Sequence, residues 1–451
     1  MSDSAPIFQV QQALNRPLTH LESTILEGAW EGVQYRVIAE QSGYGEEYLK
    51  QIGAKLWHDL SSHLEVAVTK KNLRIVLQNW LYQLEANPEG CPLDRSYGFP
   101  SGPLSPNSSL YIHRPPAETI AFSAIDQPGC LLCIHAPHRY GKTSMLRRLM
   151  TYAQSQVYRV CLLDLQEADS QTLRQADLLL PWLCHRMADG LGLASPEEAW
   201  NPRLGVKVNC GRYLQQVVLE QAETPFVLAI HALEVGLGQV AVAQDLLSML
   251  HLWHERAQGT PLWQRLRLVL VYATDSPTVL AHAPSHPLLS RVAPLNLGRS
   301  VGLPPLSPHQ FATLGRRYQL ALFHDSSQQS AVDSLYDLIA GHPYLAHLSC
   351  YALKQGQHSL DDMVSTAVTP DSVFWPHLQN RLNCLQHYPQ AKEALRRVVL
   401  GDGVQVDGVS LDQLLSLGLV QVVEGLVYPL GDIYRYFFAT YLIDEDVAVA
   451  S

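Results

Sequence analysis

The chain has 451 residues, of which 47% are hydrophobic and 16% are charged; this composition is typical of a globular protein and excludes a disordered one. No apolar run reaches the roughly 18 residues that a membrane span needs, and the N-terminus lacks a basic region followed by an apolar one, so we expect a cytoplasmic protein without a membrane segment. The formal net charge of -10 argues against sequence-independent binding of nucleic acid, because such binding depends on lysine and arginine side chains that neutralise phosphates.

Residues 1–86 are predicted to form a helical domain. Apolar residues recur on one helical face between positions 18 and 26, and a second helical periodicity covers positions 70–84. Between them, a short helical stretch at 35–41, a turn at Gly43 and a helical stretch at 46–56 have the order of a helix-turn-helix. Its expected internal contacts are Ile38, Ala39 and Leu49.

Two functions are open for this helix-turn-helix, the binding of DNA and the binding of a protein partner. Residues 1–90 contain seven Lys and Arg against eleven Asp and Glu, a net charge of -4. In DNA-binding versions the start of the second helix meets the bases, and here Glu46 and Glu47 would repel the phosphates. The feature that favours DNA is the basic cluster of Lys70, Lys71 and Arg74. We expect a protein partner for this domain and treat nucleic acid as the disfavoured alternative.

Residues 87–109 are rich in proline, glycine and serine and are predicted to form a linker. Residues 110–300 alternate short apolar runs with helical patterns, which indicates an α/β domain with a largely parallel sheet that is covered on both faces. The apolar runs lie at 130–136, 158–165, 226–230 and 266–273, and the helical patterns lie at 144–154, 176–191, 211–221 and 242–257.

A phosphate-binding motif follows the first of these apolar runs. A strand, a tight loop that carries Gly141-Lys142-Thr143, and a helix form the context that a P-loop requires. Lys142 is expected to reach the β- and γ-phosphates, and the Thr143 hydroxyl is the expected ligand of Mg²⁺. Backbone N–H groups at the helix N-terminus favour negative charge there. The predicted nucleotide-binding residues are Ala136, Pro137, His138, Arg139, Tyr140, Gly141, Lys142, Thr143 and Ser144.

The acid that orients Mg²⁺ and water in such a domain sits at the end of a neighbouring apolar strand. The run 226–230 is instead followed by His231 and Ala232, and the first acid after it is Glu234. Asp164 ends another run and is either a substitute acid or the cap of a turn. Asp275 follows the run 266–273, where a sensor residue is often placed. Without the usual acid, the loop amides and Lys142 still bind phosphate, so the sequence predicts a nucleotide binder with weak hydrolysis or none.

The rest of the chain is predicted to form two smaller domains. Residues 301–392 show amphipathic helices and are interpreted as a helical lid, interrupted at Gly341-His342-Pro343, where a helix is expected to end and another to begin. Residues 393–451 are interpreted as winged-helix-like, with a hairpin that turns at Glu424-Gly425. The predicted fold class is a multidomain α/β protein with a P-loop NTPase core, an N-terminal helical domain, a helical lid and a C-terminal winged-helix-like domain.

Several segments resemble the bacterial AAA-like P-loop ATPase family, which is allied to the signal-transducing STAND ATPases. They are residues 110–118, the loop at 136–144, Trp200-Asn201, residues 252–255 and residues 341–345. Residues 35–72 resemble the N-terminal helical domain of proteins associated with von Willebrand A and MoxR modules. The resemblance implies an ATP-dependent switch in which Arg114 lies at the adenine side of the nucleotide and Pro343 of the lid touches it. Members normally carry paired acids where this chain has His231 and Ala232, which implies impaired hydrolysis.

Three functions are therefore weighed. The first is an adenine-nucleotide-binding regulatory protein that uses ATP or ADP, with Mg²⁺ as a further ligand, as a structural clamp. The second is a DNA-binding transcription regulator. The third is a non-catalytic scaffold whose P-loop is vestigial, and for this function we expect a loop that is closed by His138 or Arg139. The sequence leaves oligomerisation and the identity of a protein partner open.

Overall fold

The computed structural model describes residues 18–30, 32–42, 44–64, 98–282 and 298–442, together with single residues and short stretches between positions 7 and 77. The chain divides into two compact units, residues 1–94 and residues 95–451. None of the helices in the described ranges is both long enough and apolar enough to cross a bilayer. Most of the helix predicted at 70–84 lies outside the described residues.

The first unit contains the predicted helix-turn-helix. Its helices are α1 (His20–Trp30), α2 (Tyr35–Ser42) and α3 (Glu46–Leu64), so the predicted stretches at 35–41 and 46–56 are confirmed as helical and α3 runs about two turns further. Ile38 and Leu49 are buried in one apolar cluster against which Ala39 packs, as expected. Trp57 Nε1 donates a hydrogen bond to the Tyr35 hydroxyl, 3.1 Å away, and thereby links α2 to α3.

The second unit is built on a parallel sheet with the strand order β2-β3-β4-β1-β5. Its strands are β1 (Leu131–Ala136), β2 (Arg159–Asp164), β3 (Phe226–His231), β4 (Leu266–Ala273) and β5 (Arg299–Gly302). The four predicted apolar runs are confirmed as strands. The fifth strand was not predicted, because Arg299, Ser300 and Gly302 leave only Val301 to indicate a buried strand; β5 also spans the predicted domain boundary at residue 300.

Helices cover both faces of this sheet, as predicted. One face packs against α4 and α5, and the other against α6, α8 and α10, so all eight residues of β4 are buried. These helices and their neighbours are α4 (Ala117–Ile125), α5 (Lys142–Ser155), α6 (Ala176–Leu191), α7 (Pro196–Ala199), α8 (Val206–Tyr213), α9 (Leu233–Gly236), α10 (Val240–Gly259) and α11 (Pro277–His282). The helix predicted at 211–221 begins earlier, as α8, and continues as a π-helical turn over Leu214–Leu219.

The rest of the second unit is mainly helical and has one apolar core of its own. Its elements are α12 (Pro308–Arg317), α13 (Gln329–Ile339), α14 (Pro343–Gln355), α15 (Leu360–Ser365), α16 (Trp375–Leu385), α17 (Pro389–Leu400), α18 (Gly408–Ser416), β6 (Val420–Val423), β7 (Leu426–Pro429) and α19 (Asp432–Tyr441). The predicted hairpin is confirmed: β6 and β7 are antiparallel, and Glu424 and Gly425 between them both have positive φ, as a two-residue hairpin turn requires.

The described part of the predicted linker, residues 98–109, forms neither helix nor strand but packs on α5. The backbone N–H of Leu104 donates to Ser144 Oγ over 3.0 Å, and Arg148 Nη1 donates to the Pro106 carbonyl over 2.5 Å. Ser144 therefore faces this segment, and its hydroxyl accepts a hydrogen bond from outside the predicted phosphate-binding loop.

Gly341 fixes the place where the helical part meets the exit of β5, and alanine there is expected to destabilise the unit. Gly341 has a φ of +66°, its carbonyl accepts from the Leu306 N–H at 2.8 Å, and a Cβ would overlap the Leu306 carbonyl oxygen. The left-handed backbone alone costs about 1–2 kcal/mol for an L-residue. Gly356→Ala is the matched control, because Gly356 has the same φ but open space around it. Denaturant unfolding should show a larger loss for Gly341→Ala, and equal losses would contradict this account.

Candidate functional site

The carboxyl ends of four parallel strands meet at one edge of the sheet and assemble the site. Ala136 at the end of β1 pairs in register with Ala273 at the end of β4, and Asp164 at the end of β2 pairs with His231 at the end of β3. Residues that follow these strands are therefore neighbours, although 137 positions separate His138 from Asp275 in sequence. Ligands bind outside the carboxyl ends of strands in open α/β sheets.

The loop after β1 has the backbone shape of an anion cradle. Arg139 and Gly141 adopt φ values of 65° and 85°, whereas Tyr140 between them has a negative φ, and α5 begins at Lys142. Alternating signs of φ make successive N–H groups converge on one point, and the N-terminus of α5 adds its dipole there. The predicted loop residues are thus brought together in a geometry that suits phosphate.

The ammonium of Lys142 lies beneath the loop. Its Nζ donates to the carbonyls of Ala136 at 2.9 Å and Pro137 at 2.8 Å. Burial lowers the pKa of Lys142 to about 8, and the negative charges of Asp275 and Glu234 only partly oppose this effect. At neutral pH the side chain is mostly protonated, and its hydrogen bonds to uncharged carbonyls leave its charge available to an anion.

Thr143 is hydrogen-bonded to a histidine that stands where P-loop domains usually carry a metal-orienting acid. Its Oγ1 lies 2.9 Å from His231 Nε2, and His231 Nδ1 lies 3.0 Å from Asp164 Oδ2. When Asp164 is ionised, Nδ1–H of His231 donates a hydrogen bond to the carboxylate, and Nε2 accepts a hydrogen bond from the Thr143 hydroxyl. Asp164 also caps the following 3₁₀ turn by accepting from the Gln166 N–H at 3.0 Å. Asp164 therefore reaches Thr143 only through His231.

Asp275 is a buried carboxylate that holds the loop from behind. Its Oδ1 accepts from the His138 N–H at 2.9 Å and from His138 Nδ1 at 2.7 Å, and its Oδ2 accepts from Arg381 Nη1. Burial alone would raise the pKa of Asp275, but the hydrogen bond from His138 and the charges of Arg381 and Lys142 outweigh it and hold that pKa well below its usual range. A carboxylate engaged in this way is a structural anchor.

Glu234, the third candidate acid, joins two strand ends. Its Oε2 accepts from the backbone N–H of Ala273 at 3.0 Å, and its carbonyl accepts from Thr278 Oγ1 at 2.8 Å. The side chain is buried. Glu234 therefore braces the end of β4 against α9.

Arg114 is buried against the loop backbone. Its Nη1 donates to the Tyr140 carbonyl at 2.7 Å and to the Pro304 carbonyl at 3.3 Å, and a Cβ on Gly141 would lie 3.0 Å from its Nη2. The contacts of this guanidinium are thus with the loop and with the exit of β5, and its predicted place at the adenine side stays a prediction.

The predicted lid touches the loop through aromatic rings. The His342 ring lies 4.6 Å from the Tyr140 ring, and the Arg139 guanidinium lies 4.3 Å above the Tyr344 ring. His342 also caps α14, of which Pro343 is the first residue and is buried. Burial and the nearby charge of Arg381 lower the pKa of His342 to about 3, so the ring is neutral at physiological pH. A contact of Pro343 with nucleotide stays a prediction.

The C-terminal segment 416–418 also contacts the loop edge. The Ser416 carbonyl accepts from Thr274 Oγ1 at 2.8 Å, the Leu417 carbonyl accepts from Arg381 Nη1 at 3.2 Å, and a Cβ on Gly418 would lie 2.9 Å from Pro137 Cγ. Sequence reasoning did not single out Arg381 or these carbonyls. Arg381 lies in an ordinary amphipathic helix. It differs from the other charged residues of such helices because it lies on the buried face, and this can be recognised only when that face is known.

Comparisons with known proteins agree with this geometry. Residues 99–440 match the model of the family described as AAA-like domain, and residues 8–80 match the one described as vWA-MoxR associated protein N-terminal HTH. The comparison with curated proteins gives no match.

Two solved structures of P-loop proteins are similar to this chain. A Walker-type ATPase of Pyrococcus abyssi has a TM-score of 0.51 at 13% identity, over 73% of this chain and 96% of that chain. The ORC2 protein of Aeropyrum pernix, solved in ADPNP-ADP complexes, has a TM-score of 0.43 at 13% identity, over 78% of this chain and 99% of that chain. At 13% identity, the likeness to the Walker-type ATPase shows the fold alone.

Both family resemblances drawn from the sequence are confirmed. The chain is a member of the AAA-like domain family, joined to an N-terminal helix-turn-helix domain of the kind found in vWA-MoxR associated proteins.

Proposed function

We propose that this protein binds ATP or ADP in the loop after β1 and uses the nucleotide to set the arrangement of its helical lid, with weak hydrolysis or none. The observation that carries the proposal is the cradle at Arg139–Lys142 with its buried ammonium. Beside it, at the end of β3, a histidine in place of an acid is hydrogen-bonded to Thr143. Membership in the AAA-like family supports adenine as the base.

The loop side chains support occupancy by a ligand over a vestigial, closed loop. His138 bonds to Asp275, and Arg139 lies over the Tyr344 ring, so each has a partner outside the cradle. Both side chains are exposed at the surface. The scaffold alternative requires one of them to fill the loop, and these contacts do not favour it.

The commitments of the three acids support weak hydrolysis. Water activation needs a base within hydrogen-bond reach of the attacking water. Asp275 is paired with Arg381, Glu234 holds the Ala273 N–H, and Asp164 reaches the loop only through His231. The protein is therefore proposed to act through binding, as a regulatory or signalling protein in which nucleotide occupancy is the state that is read.

A protein partner is the proposed ligand of the N-terminal unit. At the start of α3, Glu46 and Glu47 lie one turn before Lys50. The Lys50 Nζ lies 3.0 Å and 2.8 Å from their carboxylates, so this part of the helix presents no net positive charge. In the basic cluster, Lys70 Nζ lies 4.2 Å from the centroid of the Tyr35 ring. This distribution supports protein binding over duplex binding.

Lys142→Ala is expected to abolish nucleotide binding. Wild-type protein should melt at a higher temperature with ATP or ADP, since a ligand at 100 times its Kd adds about 2.7 kcal/mol to the free energy of unfolding. The control is Lys207→Ala, which removes an equally charged side chain from a surface ion pair with Asp245. Absence of any shift or of calorimetric heat at millimolar nucleotide in the wild type would end the proposal.

Arg381→Met tests the link between loop and lid. It leaves the buried Asp275 carboxylate without its cation, and breaking a buried pair in this way costs roughly 3–5 kcal/mol. Arg186→Met removes an arginine from an exposed pair with Glu167 and should cost at most about 1 kcal/mol. Denaturant unfolding measures both losses. A loss for Arg381→Met no larger than for the control would show that the pair does not hold the lid.

Duplex DNA is expected to show no steep salt-dependent binding to the full chain. Titration at low and high salt, by fluorescence anisotropy, is the measurement. Affinity that falls steeply with salt and is lost in Lys70→Ala would instead support the transcription regulator.

A further inference from the structure

We propose that this site holds its nucleotide without a bound magnesium ion, because His231, fixed by Asp164, occupies the metal's place beside Thr143. The inference rests on the proposed nucleotide binding. It specifies that the bound ligand is nucleotide without a metal ion, and it assigns positioning roles to His231 and Asp164.

The first step is the direct contact between Thr143 and His231. In P-loop proteins the hydroxyl at this position is a ligand of Mg²⁺, and an acid from a neighbouring strand completes the metal's surroundings. Here His231 Nε2 stands 2.9 Å from Thr143 Oγ1. The His231 side chain is only 14% exposed and extends from the end of the buried strand β3, so it has little freedom to withdraw.

The second step is the anchoring of the ring. Asp164 and His231 are register partners on adjacent parallel strands, and the 3.0 Å bond from Nδ1 to Asp164 Oδ2 fixes which nitrogen faces Thr143. Asp164 is held in turn by the Gln166 N–H. The acid that is linked to Thr143 through His231 therefore orients a histidine and does not face a cation.

The third step is the donor set. Mg²⁺ requires near-octahedral oxygen ligands at about 2.0–2.1 Å, and an imidazole nitrogen is a poor ligand for so hard a cation. At Thr143 the protein offers one hydroxyl oxygen, and the remaining nearby acids, Glu234 and Asp275, hold backbone N–H groups and Arg381. Among the residues the structure describes, no group of three His, Cys, Asp or Glu side chains has the arrangement of a metal site. The residues present do not fit the metal.

Phosphate charge is then balanced by the chain itself. The ammonium of Lys142 and the converging N–H groups at Arg139–Lys142 bring positive charge to the cradle. Magnesium in solution competes with such a site, because it forms complexes with the phosphates that the cradle would otherwise bind.

The test compares nucleotide binding to the wild-type chain in EDTA and in excess Mg²⁺, with ADP and ATP as probes in calorimetry. We expect binding in EDTA that is as tight as in Mg²⁺, or tighter. A tenfold or greater loss in EDTA overturns this inference and leaves the proposed function intact. No binding in either condition overturns both, so the two failures are distinguishable.

His231→Asp is the diagnostic variant. It places a second carboxylate beside Asp164, so Mg²⁺ should now tighten nucleotide binding at least tenfold, and Mg²⁺ alone should raise the melting temperature of the apo protein. His309→Asp adds the same charge at an exposed position of α12 and should show neither effect.

If His231→Asp does not fold, Asp164→Asn is the second variant. It removes the charge that fixes the ring, so the ring should block Thr143 less, and the affinity for nucleotide in Mg²⁺ relative to that in EDTA should rise at least tenfold. Arg186→Met, in the exposed pair with Glu167, should leave it unchanged. An unchanged ratio of the affinities in Mg²⁺ and in EDTA in Asp164→Asn overturns the positioning role.

Discussion

A single buried carboxylate, that of Asp275, joins the three parts of the second unit that the site depends on. A charge in an apolar interior is stable only when it is paired and hydrogen-bonded. Asp275 meets this condition with the phosphate loop through His138 and with the helical part through Arg381. The end of β4, the loop and α16 therefore cannot move apart without leaving a buried charge unpaired. The attachment of the loop and that of α16 to the end of β4 both depend on this one electrostatic requirement.

The histidine at the end of β3 is the second feature on which the site depends. An acid and a histidine interact differently with a neighbouring hydroxyl. An acid helps to bind a hard cation there, whereas a neutral imidazole accepts a hydrogen bond from the hydroxyl. With His231 the hydroxyl of Thr143 is satisfied within the protein. In the proposed function, phosphate affinity then falls to the loop amides and Lys142, which bind charge but do not activate water.

The sequence was sufficient for the parts that depend on local pattern. The four long strands, the loop and the hairpin turn follow from apolar runs and from glycine at positions of positive φ. Arg381 and His231 show where local pattern ends. The role of Arg381 depends on the burial of Asp275, which lies 106 residues away, and the pairing of His231 with Asp164 depends on the register of β2 and β3. The strand β5 was missed because pairing with β1, and not its own composition, makes it a strand.

Nucleotide can change the lid only through contacts that differ between the bound and free states. Two kinds of contact join the helical part to the loop and to the strand ends beside it. Arg381 bonds to Asp275 and to the Leu417 carbonyl, an ionic link that is costly to break, whereas His342 and Tyr140 meet as neutral rings with no hydrogen bond between them. Neutral rings slide at small cost and a buried ion pair does not. A ligand that shifts Tyr140 would therefore move the start of α14 around a fixed point at Arg381, and the lid would turn while remaining attached.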